Sequence, residues 1–120
     1  MTTYTRADLD DALSALADNS LAASEYEIAR AVIIAATLSG KTIATAESLT
    51  AGLISATLAT IPGASNVLRG GIVAYATDLK ASALHVPQAL LDKGGPVQTP
   101  VAGAMAVGAR AWAEADFGLA

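Results

Sequence analysis

Apolar residues recur at helical spacing in the first third of this chain. Leu9, Leu13, Leu16 and Ala17 form one set, and Ile28, Val32, Ile33 and Ala36 form a second. Steps of three and four residues place each set on one face of a helix. Thr5 or Asp8 can cap the first helix, and Asp18-Asn19-Ser20 is the expected break after it. The second helix is expected to start near Ser24, because Glu27 three residues later completes a capping box. Gly40 is its expected stop.

Beyond Gly40 the pattern changes character. Lys41 to Thr45 predicts a first strand. A polar cluster follows, and then an alanine-rich run from Leu53 to Ala59 predicts a helix ending near Thr60, before the turn signal Pro62-Gly63. Ile72 to Ala76, preceded by Gly70-Gly71, is a short apolar run with β-branched residues and predicts a buried strand. Asp78 can begin a short helix through Leu84, and Pro87 suits the first turn of another through Leu91. Gly94-Gly95-Pro96 predicts a loop. Thr99 can cap a helix with Pro100 at its first position, running to Trp112 or Ala113. Phe117 to Ala120 predicts a last strand. Strands alternating with helices predict an α/β layered fold. Three strands fall below the usual number of about four to six. The chain is therefore expected to be C-terminally incomplete.

Composition narrows the chemistry. A chain of 120 residues defaults to one domain. It is 53% hydrophobic but only 4% aromatic, so its core must be closely packed Ala, Val, Leu and Ile. The formal net charge of -4 argues against nucleic acid as the partner, since phosphate contacts need a Lys/Arg surface. The N-terminus is polar and lacks a signal core. The stretch Ala29 to Leu38 is interrupted by Arg30 and Thr37 and is too short for a bilayer, which needs about 20 residues. No membrane partner is expected. With no cysteine, disulfides, thiolate metal sites and cysteine catalysis are excluded, which fits a cytoplasmic protein. No His and carboxylate set has metal-ligand spacing, and no Gly-rich nucleotide fingerprint occurs, so neither metal nor cofactor is expected.

Candidate chemistry concentrates between Thr42 and Gly52. A strand turning into a helix through a polar elbow would put Ser48 at a helix N-terminus, where backbone N–H groups gather. Ser48 is then either a nucleophile, with the N–H groups of Leu49 and Thr50 as an oxyanion hole, or an ordinary N-cap. A serine needs a base. The single histidine, His85, reads as a partly exposed loop residue. Lys80 is the alternative, either a desolvated base or a solvated surface lysine, and Tyr75 lies five residues before it. Glu47 can orient a base or ligand, or favour the helix N-terminus by charge. Thr50 can bond a substrate or its own backbone. Gly52 allows close approach or tight packing.

The segment Thr45-Ala46-Glu47-Ser48-Leu49-Thr50-Ala51-Gly52 resembles the Thr-Ala-Glu-Ser-Cys-Thr-Gly-Gly signature of the CinA C-terminal domain family, which includes the nicotinamide-nucleotide amidases. The similarity continues through Pro62-Gly63-Ala64-Ser65, Gly70-Gly71-Ile72-Val73-Ala74-Tyr75, Lys80, Val86-Pro87, Val101 and Met105, over about residues 24–120. It implies a three-layer α/β/α sandwich, a homodimer, and hydrolysis of the carboxamide of nicotinamide mononucleotide to nicotinate mononucleotide and ammonia. The family's serine falls on Ser48, its lysine on Lys80 and its tyrosine on Tyr75. Lys80 then takes the proton from Ser48, and Tyr75 orients Lys80 or passes a proton to ammonia. Glu47, Leu49, Thr50 and Gly52 fall at substrate-binding positions. Leu49 replaces the usual Cys, Ala51 the first Gly, and Thr77 an Asn. Ala51 is expected to add a methyl group where substrate or backbone approaches. Residues 1–23 match nothing in the family and read as a helical extension. The competing reading is a non-catalytic nucleotide-binding or interaction module of the same fold, inactive because the C-terminal part of the pocket is missing.

Overall fold

The computed structural model describes residues 2–18 and 24–120. The break expected at Asn19-Ser20 lies outside the described residues. The first helix, α1 (Arg6–Asp18), begins where the Thr5 hydroxyl and the Asp8 carboxylate bond each other's backbone N–H groups. In α2 (Glu25–Ser39) the capping box forms as expected. Glu27 N–H donates to Ser24 Oγ, and Ser24 N–H donates to the Glu27 carboxylate. Gly40 ends the helix at φ 64°, a left-handed conformation that costs glycine little.

The strands β1 (Ile43–Glu47), β2 (Leu68–Val73) and β3 (Phe117–Leu119) form one parallel sheet in the order β2-β1-β3. Between them run α3 (Leu53–Ala59), then α4 (Thr77–Leu84), α5 (Gln88–Gly94) and α6 (Thr99–Ala113). The result is a three-layer α/β/α sandwich. One apolar cluster joins Ile43 to α2 and α3, and another joins Ala44 and Ala46 to α4, α5 and α6. β1 is the central strand and is buried along its whole length. A third small cluster packs Ala12 of α1 against Ala31 and Ile34 on the outer face of α2. No helix among the described residues is long and apolar enough to cross a membrane.

Strand boundaries and helix caps differ from the sequence expectation in several places. β1 starts at Ile43 rather than Lys41. Thr42 is bound by its backbone N–H and its hydroxyl to the Asp116 carboxylate, which ties the entry of β1 to that of β3. β2 begins at Leu68 and ends at Val73, so Gly70 and Gly71 lie inside the strand rather than before it. They are there because the layers approach closely. A Cβ on Gly71 would overlap Thr45 Oγ1 and stand 2.7 Å from Ser55 Oγ, and one on Gly70 would stand 3.3 Å from the Trp112 ring. As an edge strand, β2 is half-exposed along its length, not buried. Finally, α3 begins at Leu53 as expected, but its cap is Gly52 and not Ser48, and Thr99 lies inside α6, whose cap is Gln98.

The close approach expected from an aromatic-poor core is present on the other side as well. A Cβ on Gly108 would overlap the Leu84 carbonyl oxygen, and one on Gly118 the Ala106 carbonyl oxygen. Hydrogen atoms at these glycines let α6 lie directly on α4 and β3.

Candidate active site

Along a strand, successive side chains point to opposite faces. In β1 the odd positions Ile43, Thr45 and Glu47 face α2 and α3, and the even positions Ala44 and Ala46 face α4, α5 and α6. Continuing that alternation past the strand end, Ser48 falls on the α4 side. There Lys80 Nζ stands 2.9 Å from Ser48 Oγ. The two residues are 32 apart in the chain. They meet because β1 and β2 are parallel neighbours, so the segments leaving their C-terminal ends share one rim.

Lys80 is 2% exposed. Its Nζ also donates to the carbonyl oxygens of Ala74 at 2.8 Å and Tyr75 at 3.1 Å. These three partners match the three hydrogens of an ammonium. In the uncharged amine, two N–H bonds serve the two carbonyls and the lone pair is left facing Ser48 Oγ. One geometry therefore accommodates both the giving and the taking of the serine proton.

Tyr75 takes part through its backbone. Its carbonyl oxygen holds Lys80, while its side chain is 66% exposed. Among the described residues Tyr75 meets Lys80 through its main-chain carbonyl and not through its phenol. His85 ends α4 in a left-handed conformation, exposed, as the loop reading anticipated.

Glu47 is 2% exposed and faces away from Ser48. Its carboxylate accepts Ile54 N–H at 2.7 Å, Ser55 N–H at 3.1 Å and Ser55 Oγ–H at 2.9 Å. Thr45 Oγ1 lies 2.5 Å from Ser55 Oγ and completes a polar chain behind the strand. Burial raises the carboxyl pKa. The hydrogen bonds from Ile54, Ser55 and Thr50 more than offset that, and the carboxyl titrates below its ordinary value. The Ile54 and Ser55 amides in the first turn of α3 are thus taken up by Glu47.

Between Glu47 and α3 the chain forms a tight arch, Ser48 to Gly52. Ala51 N–H donates to the Ser48 carbonyl, and Leu53 N–H to the Thr50 carbonyl. Among the described residues, neither the Leu49 nor the Thr50 amide finds a protein acceptor. Both residues line a cleft of about 520 Å³ together with Glu47, Ser48, Lys80, Gln98 and Thr99. Leu49 is 77% exposed at its mouth. Gly52 has φ 103° and caps α3, so its glycine is a backbone requirement. Gln98, which sequence reasoning passed over, borders the cleft and donates through Nε2 to the Leu90 and Gly95 carbonyls, pinning the loop before α6. Its place just ahead of Thr99-Pro100, where a helix cap was expected, was the available signal.

The cleft opens at the carboxyl ends of β1 and β2. The chain passes from β1 to one neighbour and later returns to the other, so β1 is the switch point where open α/β sheets bind ligands.

A family model for the CinA C-terminal domain matches residues 25–120. A CinA-like protein of Frankia casuarinae is 52% identical over 79 residues, covering 66% of this chain and 18% of that protein. A CinA-like protein of Gloeobacter violaceus is 45% identical over 98 residues, covering 82% of this chain and 23% of that protein. The chain thus spans about a fifth of the length of these curated relatives. The crystal structure of the competence/damage inducible protein CihA from Agrobacterium tumefaciens superposes with a TM-score of 0.74 at 38% identity, covering 77% of this chain and 56% of that one.

Proposed function

The chain belongs to the CinA C-terminal domain family, and on that premise we propose that it is a serine–lysine amidohydrolase that deamidates nicotinamide mononucleotide. The observation that carries the reading is the buried Lys80 Nζ at 2.9 Å from Ser48 Oγ at the rim of a ligand-sized cleft.

In this reading the Lys80 amine accepts the Ser48 proton while Oγ attacks the carboxamide carbon. The carbonyl oxygen becomes an oxyanion, which the free amides of Leu49 and Thr50 are available to hold. The intermediate collapses with cleavage of the C–N bond. The leaving nitrogen takes the proton from the Lys80 ammonium and departs as ammonia. Water, deprotonated by the same amine, attacks the acyl ester. Cleavage of the C–Oγ bond releases nicotinate mononucleotide, and Oγ regains its proton. The carbonyls of Ala74 and Tyr75 hold Lys80 in line throughout. Residues 24–120 carry this activity and residues 1–23 are an extension. A homodimer is part of the same reading, and equilibrium sedimentation distinguishes it from a monomer.

The test is ammonia release from nicotinamide mononucleotide by the wild-type chain, with Ser48→Ala and Lys80→Ala beside it. Matched release of ammonia and nicotinate mononucleotide, lost in both variants, is expected. Hydrolysis that survives both substitutions would overturn the mechanism.

A further inference from the structure

We propose that Glu47 is a positioning residue for Ser48: its carboxylate fixes the arch that carries the nucleophile, and it does not touch the substrate. The inference rests on the serine–lysine reading. It departs from that reading's expectation that Glu47 binds substrate.

Three observations carry it. First, strand alternation turns Glu47 to the α3 side of the sheet and Ser48 to the Lys80 side, so the two adjacent residues serve different faces. Second, the acceptor capacity of Glu47 is engaged. Ile54 N–H, Ser55 N–H and the Ser55 hydroxyl all donate to it, at 2.7, 3.1 and 2.9 Å. Third, the arch from Ser48 to Gly52 has one end on Glu47 itself and the other on the helix that Glu47 holds. Its two ends are thereby clamped by a single side chain. Among the described residues, two backbone bonds span the arch, Ala51 to Ser48 and Leu53 to Thr50. Releasing the clamp would let Ser48 Oγ drift from Lys80 Nζ. A misplacement of about 1 Å is enough to cost roughly 10²-fold in rate.

The surroundings are built to the same end. Gly71 leaves room on β2 for the Thr45 and Ser55 hydroxyls, which would collide with a Cβ there. Thr45 Oγ1 then backs Ser55, and Ser55 backs Glu47. Glu47 and Ile54 border the cleft, but Thr45 and Ser55 behind them do not, so the bonds that hold the carboxylate are made away from the cleft.

Glu47→Gln tests the proposal, because an amide nitrogen cannot accept the Ser55 donors. Steady-state hydrolysis of nicotinamide mononucleotide should show kcat lower by about 10- to 100-fold with KM within about twofold. The pH profile should keep its shape and lose height. Ser55→Ala, a gentler change outside the cleft, should lower kcat in the same direction by several-fold. A raised KM at unchanged kcat would make Glu47 a substrate contact and overturn the proposal. Loss of one limb of the pH profile would make it an acid or base, with the same consequence. A crystal structure of Glu47→Gln, or of Ser55→Ala if the first variant does not fold, supplies a readout independent of turnover. The Ser48–Lys80 pair should part while the sheet stays in place. An arch that does not move overturns the proposal whether or not the wild-type chain hydrolyses the nucleotide.

Discussion

The two faces of β1 are built from the same five residues and end in opposite conditions. Toward α2 and α3, Thr45 and Glu47 are buried, and the Glu47 carboxylate is engaged by Ile54 and Ser55. Toward α4 and α6 the strand presents only Ala44 and Ala46, and just past its end Ser48 and Lys80 meet over an open cleft. The difference separates support from chemistry. Polar groups whose bonds are all made rigidify a site. A polar pair whose remaining side is free can react. Because adjacent residues on a strand must face opposite ways, one central strand supplies both with no extra structure.

The comparison breaks most visibly at Ser48. Ser48→Ala should lower amide hydrolysis by at least about 10³-fold, as removal of one member of a catalytic unit does. The unfolding free energy in urea should stay within about 0.5 kcal/mol of wild type, because among the described residues the hydroxyl bonds Lys80 alone, at a cleft rim. Activity and unfolding curves measured on the same preparation check both halves. Gly71→Ala should do the reverse. Its methyl would displace Thr45 and Ser55, costing about 3 kcal/mol in chemical denaturation as overpacking with a disrupted polar chain. A loss below about 0.5 kcal/mol would mean that the α3 layer shifts easily, and that the closed face is not rigid.

Much of the fold was legible because its signals are local. The Ser24/Glu27 box and Gly40 mark helix ends by backbone bonding that neighbouring residues decide. The β2 boundary was not legible. Glycines read as strand breakers, and only the tertiary approach of α3 and Trp112 explains Gly70 and Gly71 inside the strand. The site divides in the same way. Ser48 stands out locally, but Lys80 reads equally as a surface lysine. Burial and the Ala74 and Tyr75 carbonyls decide between the two, and those are tertiary facts. Family resemblance was what joined the pair across the chain. Glu47 was read both as a ligand group and as a charge at the helix N-terminus, and counting alternate positions from Ile43 through Thr45 favours the second.

Acid should sharpen the contrast further. The Glu47 carboxyl is held below its ordinary value, so the folded state binds its proton later than the unfolded chain does. Stability from Glu47 is therefore full above the ordinary carboxylate range of about 4, and is lost as pH falls through the lower folded value. Asp116, lowered by its bonds to Thr42, and Asp8, lowered by Thr5, have the same sign. Urea unfolding followed from pH 7 down to 3 should show stability falling with pH, and less steeply in Glu47→Gln. Equal slopes in the two proteins would show that the closed face does not depend on the carboxylate charge.

The smallest expected effect lies within the arch that joins the two faces. Ala51 has φ 51°, a left-handed conformation that costs an L-residue with a Cβ about 1 kcal/mol or more. The family signature has glycine at this position, and the resemblance suggested that the alanine methyl meets substrate or neighbouring backbone. The structure supports another cost, since Ala51 is exposed and is not among the residues lining the cleft. Ala51→Gly relieves the backbone strain but returns part of the gain, because glycine adds freedom to the unfolded chain. A net stabilisation of about 0.5 kcal/mol is expected, with KM for the nucleotide unchanged. A lower KM without any gain in stability would instead place the methyl group against the substrate. The arch would then belong to the reactive face along its whole length, and not at Ser48, Leu49 and Thr50 alone.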